Sequence, residues 1–214
     1  MSLEQRYRFI YKPLVFVACL LAALWMGCGL MGWLGADLGP DPVKKLEHEC
    51  GKTALNLLLI TLAVTPLKEL LHLPHLLRLR RMLGLFAFFY VLLHFVVYVV
   101  LDLELNFGAV VSEIAKRPFI MIGMLALLML VPLAVTSTNR MMRRLGRRWV
   151  SLHRLIYPIA IIGVWHYWWQ VKKDIREPML YAGMLAVLLG YRVVRAQLKA
   201  RRRGLDRPTA PAAQ

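Results

Sequence analysis

An all-α membrane protein, a six-helix transmembrane bundle with both termini cytoplasmic, is the fold class that this 214-residue sequence predicts. Three observations carry the expectation. Hydrophobic residues make up 59% of the chain and come in long uncharged blocks rather than amphipathic stripes, the pattern of a chain solvated by lipid. The net charge of +16 gathers at the ends of those blocks instead of lining a soluble face with interleaved aromatics, which argues for membrane topology and against a nucleic-acid partner. Three histidines, His94, His153 and His166, sit inside apolar stretches, where an ionisable side chain is costly unless a partner or ligand satisfies it.

The first block, Pro13 to Ala36, follows the basic start MSLEQRYRFIYK; it is too long for a cleaved signal segment and reads as a retained helix. The others are Thr53 to Leu67, Met82 to Leu101, Phe119 to Asn139, Leu155 to Val171 and Pro178 to Tyr191. A helix needs ~20 residues to cross the hydrocarbon core. The second and sixth blocks are short, and they reach that length with flanking residues such as Lys68 and Arg192, whose charged tips snorkel to the interface. Lys and Arg then divide by side. The N-terminus, the loop HLPHLLRLRR with Lys68, the loop TNRMMRRLGRRW with Arg154, and the tail from Arg192 hold 20 of them, against 8 on the other side together with 9 of the 12 acidic residues. The basic side is cytoplasmic. Residues 1–12 form the cytoplasmic N-terminus, 13–195 the six-span domain, and 196–214 a basic, disordered cytoplasmic tail. The outer loops are short, so the protein works within the bilayer or through partners.

Depth sorts the histidines. At ~1.5 Å per residue from Arg81 and Arg148, His94 lies roughly 20 Å into its span, His166 about 27 Å and His153 about 8 Å. His94 and His166 are therefore the expected pair. His153 stands apart near the cytoplasmic side, and the 13 residues to His166 leave the two roughly 140° apart on an ideal helix. Either Pro158 redirects one imidazole, or the two bind different groups. Zinc favours closed sets of His, Cys and carboxylate, and no carboxylate lies near these histidines within the spans. A haem, with imidazole axial ligands and a large apolar ring to bury, fits better. His48, His72 and His75 read as loop residues, and Cys19, Cys28 and Cys50 form no CxxC pair and carry no assigned role. Trp165, Trp168 and Trp169 read as an aromatic interface belt.

The stretches RRMLGLFAFFYVLLH ending at His94, KRPFIMIG, TSTNRMMRRLGRRWVSLHRLIYP containing His153, and WHYWW containing His166, in this order and spacing, resemble the MsrQ/YedZ family of the ferric reductase-like transmembrane superfamily. The resemblance covers Lys12 to about Arg195. It implies a bacterial inner-membrane electron relay with FMN and one or two b-type haems. Electrons come from reduced flavin or a cytoplasmic flavin reductase, with quinone as an alternative donor. They go to a periplasmic molybdopterin-containing catalytic subunit that reduces methionine sulfoxide in damaged proteins. It also implies His94, His153 and His166 as haem iron ligands. Superfamily members with two bis-histidine haems carry a second histidine in span three, about 14 residues from the first; Arg80 and Gly108 stand at those distances here, so a haem held by one histidine, His153, is the implied second site.

Arg80 and Arg81 mark the cytoplasmic entrance of span three, where guanidinium groups hold an FMN phosphate or a haem propionate, or simply set topology against lipid headgroups. Arg143, Arg144, Arg147 and Arg148 are a weaker version of the same feature. No Gly-rich dinucleotide fingerprint follows a predicted strand, which argues against direct nicotinamide binding. Outside, the loops from Asp102 to Arg117 and Lys172 to Glu177 are candidate docking segments by location. Two other readings compete with the relay. One is a self-sufficient membrane cytochrome b reductase; the other is a haem-free transporter or assembly protein whose histidines carry protons or metal.

Overall fold

The computed structural model describes residues 3–33, 38–171 and 174–205, and every regular element among them is helical. Helix α1 (Leu3–Arg6) runs through a π-helical turn, Tyr7–Tyr11, into α2 (Lys12–Met31), which stops at Gly32 in the left-handed conformation with φ 67°. Such a stop is the ordinary use of glycine just past a helix end. Helix α3 (Pro42–Leu70) begins with Pro42 behind Asp41, whose carboxylate accepts from the Lys44 backbone at 3.2 Å and from Lys44 Nζ at 2.8 Å. These two bonds hold the Asp41 carboxyl below the usual carboxylate range.

A 3-10 turn, Pro74–Arg78, leads to α4 (Arg80–Val97), prolonged by a π-turn, Tyr98–Asp102. The short α5 (Phe107–Lys116) is capped by Asn106 Oδ1, which accepts from the Ala109 backbone at 3.0 Å, and has no buried residue. Then come α6 (Pro118–Val135), α7 (Asn139–Leu145), α8 (Arg147–His153), α9 (Ile156–Gln170) and α10 (Arg176–Leu205).

Among the described residues, five helical stretches are long and apolar enough to cross a membrane: Tyr7–Met31, Pro42–Leu70, Pro74–Asp102, Pro118–Val135 and Arg176–Arg202. The two blocks that looked short in sequence, the second and the sixth, lie in the two longest helices, of 29 and 30 residues, because charged flanks continue each helix past its apolar centre. The expected fifth span is the exception. Pro158 has no N–H to give the Arg154 carbonyl, the chain makes a turn there instead (Tyr157 N to Arg154 O, 3.1 Å), and α9 is left with 15 residues. Length alone therefore supports five spans. The tail also differs from expectation: residues 196–205, rich in Ala, Leu, Lys and Arg, continue α10 as helix, and the rest of the expected disordered tail, 206–214, lies outside the described residues.

The bundle is built on two helical hairpins, α3 with α4 and α6 with α9, and α3 also touches α2, α9 and α10. Cys50, Leu62, Tyr90, Ile159 and Ala160 are fully enclosed in the core, while Leu14, Leu128 and Val187 present apolar side chains outward as lipid requires. The Tyr90 hydroxyl donates to the Cys19 carbonyl and so ties α4 to α2. At the start of α10, Glu177 accepts from Lys52 Nζ at 3.0 Å and from the Tyr167 hydroxyl at 2.6 Å, joining α10 to α3 and α9. Towards the other end of α3, Pro66 leaves the Leu62 carbonyl without its helical donor, and Arg192 of α10 supplies one from Nη2. The same guanidinium donates to the Leu188 carbonyl at 2.7 Å and lies over the Tyr157 ring at 5.5 Å.

Candidate functional site

Between the two hairpins lies a cavity of about 840 Å³, walled by α3, α4, α6 and α9. Its inner part is apolar, with Leu55 and Leu58 facing the same space as Leu127 and Leu130; its rim carries Lys44, Lys52 and Arg117 beside Glu47 and Asp102. His94 enters from α4 and His166 from α9. Their ring centres are 6.2 Å apart and the ring planes cross at 80°.

Each imidazole is held in the same way. His94 Nδ1 lies 2.8 Å from the Glu47 carbonyl, and His166 Nδ1 lies 2.7 Å from the Phe119 carbonyl. A carbonyl oxygen only accepts, so both rings carry their proton on Nδ1 and keep the Nε2 lone pair free as a donor to a metal. A hydrogen bond at the far nitrogen is the usual way a protein orients a ligating imidazole.

Glycine makes the approach possible. A Cβ on Gly51 would come within 3.3 Å of His94 Nδ1, and one on Gly123 within 2.8 Å of His166 Cε1 and 2.9 Å of its Nδ1. Sequence reasoning missed both glycines, although their surroundings repeat: GKTALNLL begins at Gly51 and GMLALLML at Gly123, and the shared Ala54, Leu55 and Leu58 match Ala126, Leu127 and Leu130 along the cavity wall.

The other expected residues lie elsewhere. His153, at the end of α8, does not line this cavity; its Nδ1 is 3.1 Å from the Trp149 carbonyl, its ring stacks on Trp149 at 3.9 Å, and its Nε2 is enclosed by protein. Arg80 and Arg81 open α4 at the opposite end from His94, and Arg81 Nη1 donates to the Asn139 side chain at the start of α7. His48, expected in a loop, belongs to α3 and lines the cavity rim, with its ring 5.8 Å from that of Tyr167. His72 occupies a turn with φ 55°, and His75 stacks on Tyr11 at 6.4 Å. Trp165 and Trp169 stack on each other at 6.0 Å with both rings largely exposed, and Trp169 also reaches the cavity.

Among the described residues no group of three or more His, Cys, Asp or Glu is placed to hold a metal ion. Two imidazoles facing an apolar cavity therefore suit a metal that brings its remaining ligands with it, as haem iron does.

The family model described as "Ferric reductase like transmembrane component" matches residues 50–164, which include His94 and most of both hairpins and end two residues before His166. The "Protein-methionine-sulfoxide reductase heme-binding subunit MsrQ" of Xanthomonas axonopodis pv. citri is 52% identical over 200 residues, covering 90% of this chain and 91% of its own. The subunit of the same name from Xanthomonas oryzae pv. oryzae (strain MAFF 311018) is 49% identical over 212 residues, covering 95% and 94%. That from Rhodospirillum rubrum is 50% identical over 191 residues, covering 89% and 90%. No solved structure matches the chain. With similarity of this extent running through the helices that carry the paired imidazoles, the chain belongs to the MsrQ family of ferric reductase-like transmembrane proteins.

Proposed function

We propose that this protein is the transmembrane electron-transfer subunit of a bacterial methionine sulfoxide reductase system, seated in the inner membrane with six spans and both termini cytoplasmic. It accepts electrons from cytoplasmic reduced flavin, a flavin reductase or quinol, and passes them to a periplasmic molybdopterin-containing subunit that repairs oxidised proteins. The observation that carries this reading is the pair His94 and His166 with ring centres 6.2 Å apart across an apolar cavity. A metal–imidazole bond of ~2.0 Å on each side of one ion places two ring centres about 6 Å apart. The names of the relatives, heme-binding subunits of the same reductase, support the same cofactor here.

A b-type haem bound in the cavity supplies reversible one-electron chemistry. The residues do the rest. His94 and His166 would hold the iron, their rings fixed by the Glu47 and Phe119 carbonyls. Leu55, Leu58, Leu127 and Leu130 would exclude water from it, while the rim cations Lys52 and Arg117 are paired with Glu177 and Glu113. A second haem would fall to His153, which lies outside this cavity at the end of α8. Arg80 and Arg81, at the start of α4, offer guanidinium groups to the phosphate of FMN. The sixth span is the α8–α9 segment, which runs from Arg147 to Gln170 across the turn at Arg154.

The test is an oxidised and reduced absorption spectrum of detergent-purified protein, with pyridine haemochrome quantification. Low-spin b-type bands are expected, with a haem-to-chain ratio of one for the His94–His166 site and two if His153 holds its own. A haem-free spectrum from folded protein expressed with ample haem would overturn the reading in favour of a haem-free transporter or assembly protein.

A further inference from the structure

Helices α3–α4 and α6–α9 repeat one another at a fixed offset of 72 residues, and the repeat runs through the imidazole supports. Glu47, Gly51 and His94 in the first hairpin correspond to Phe119, Gly123 and His166 in the second. In each, the imidazole lies 47 residues beyond the residue whose carbonyl it meets. In each, glycine stands four residues after that carbonyl.

That spacing has a physical reason. In an α-helix the carbonyl of residue i already accepts the N–H of residue i+4. It has a second lone pair, but the side chain at i+4 leans back over the turn before it and covers the approach. With glycine at i+4 the second lone pair is open. The imidazole N–H enters the space a Cβ would take, which is why a Cβ on Gly51 or Gly123 would meet the ring itself. The identity of residue i does not matter, since only its main chain is used. Glu47 and Phe119, chemically unlike, therefore serve equivalent positions.

We infer that Gly51 and Gly123 are positioning residues for the two axial imidazoles, each opening a main-chain carbonyl that fixes its ring with Nε2 available to the metal. The inference rests on the haem reading above and adds the device that sets ring orientation and donor strength. The two halves are not equally tight: the Gly123 cradle admits no Cβ without displacing His166, whereas at Gly51 the neighbour need yield only a few tenths of an ångström.

The test compares Gly123→Ala and Gly51→Ala with Gly27→Ala and Gly183→Ala, helical glycines whose Cβ would meet nothing within 4 Å. Haem affinity, EPR g values and midpoint potential are read on purified protein, with thermal stability as the folding control. A glycine that matters only for helix structure gains propensity as alanine, so a general effect predicts neutrality or stabilisation at all four positions. The cradle predicts instead that Gly123→Ala lowers haem affinity ~10–100-fold, the usual scale for losing an outer partner of a ligating imidazole. In the fraction that keeps haem, the potential rises, because the ligand loses the hydrogen bond that strengthened it. Gly51→Ala shifts the same way by less, and the two controls match the parent. Gly123→Ala and Gly51→Ala proteins with parental affinity, g values and potential would overturn the inference while leaving the haem reading standing. A parent that binds no haem would overturn the reading itself. If Gly123→Ala fails to fold, the milder Gly51→Ala decides.

Discussion

His94 and His166 stand 72 residues apart in sequence with ring centres 6.2 Å apart in space, each with Nδ1 against a main-chain carbonyl of the other helix in its own hairpin. As the proposed two ligands of one iron, each imidazole would be indispensable to the other, because a two-ligand site that loses one ligand loses its coordination. His94→Ala and His166→Ala are each expected to abolish the low-spin haem signal of the cavity in EPR and reduced-minus-oxidised spectra. His153→Ala is expected to preserve it, since His153 does not line the cavity. A low-spin signal that survives both cavity substitutions would defeat the pairing.

That His94 and His166 meet in space was legible from depth along the spans, because helical rise converts sequence number into distance with little error. Five of the six expected spans were legible for a similar reason: lipid demands uncharged length, and length is visible in sequence. What escaped was local backbone chemistry. The break before α9 depends on how Pro158 and the Arg154 carbonyl settle the lost hydrogen bond. The glycine cradles escaped for another reason. A glycine in an apolar helix looks like packing until the imidazole that fills its missing side chain is brought alongside, and only the repeated G-x-x-A-L-x-x-L pattern at Gly51 and Gly123 signals it.

The proposed flavin contact of Arg80 and Arg81 is expected to be separable from haem binding at His94, at the other end of α4. Replacing Arg80 and Arg81 together with Gln is expected to weaken FMN binding by ~10-fold or more, the scale of losing charge-assisted bonds to phosphate. Haem content should stay at the parental value. Titration of FMN fluorescence against purified protein measures the first and pyridine haemochrome the second. Unchanged flavin affinity would remove both arginines from the flavin site and leave them as topology determinants.

Topology offers a check that involves no cofactor. Alkaline phosphatase, active only outside the cytoplasm, is expected to be active when fused after Lys116 at the end of α5, and inactive when fused after Leu145 at the end of α7 or after Leu205 at the end of α10. Green fluorescent protein fusions should give the complementary pattern. An active phosphatase at the C-terminus would mean that α8–α9 does not cross, reducing the spans to the five that qualify by length.

Arg192 carries the stability prediction. Its guanidinium supplies the donor that Pro66 denies the Leu62 carbonyl, and it lies over Tyr157, so it joins α10 to α3 and α9 at a half-buried point. Arg192→Met retains much of the side-chain bulk but removes the donors, and the cost is ~1–3 kcal/mol, that of an orphaned carbonyl. Thermal unfolding in detergent, read by helical circular dichroism, measures it. The Pro66→Ala background supplies the decisive comparison, since the restored N–H at position 66 satisfies the Leu62 carbonyl from within α3. There the cost of Arg192→Met should shrink markedly, a coupling that a double-mutant cycle reads directly. Equal costs in the two backgrounds would show that Arg192 stabilises the bundle through its ring contact and its bond to Leu188, not by repairing the proline break.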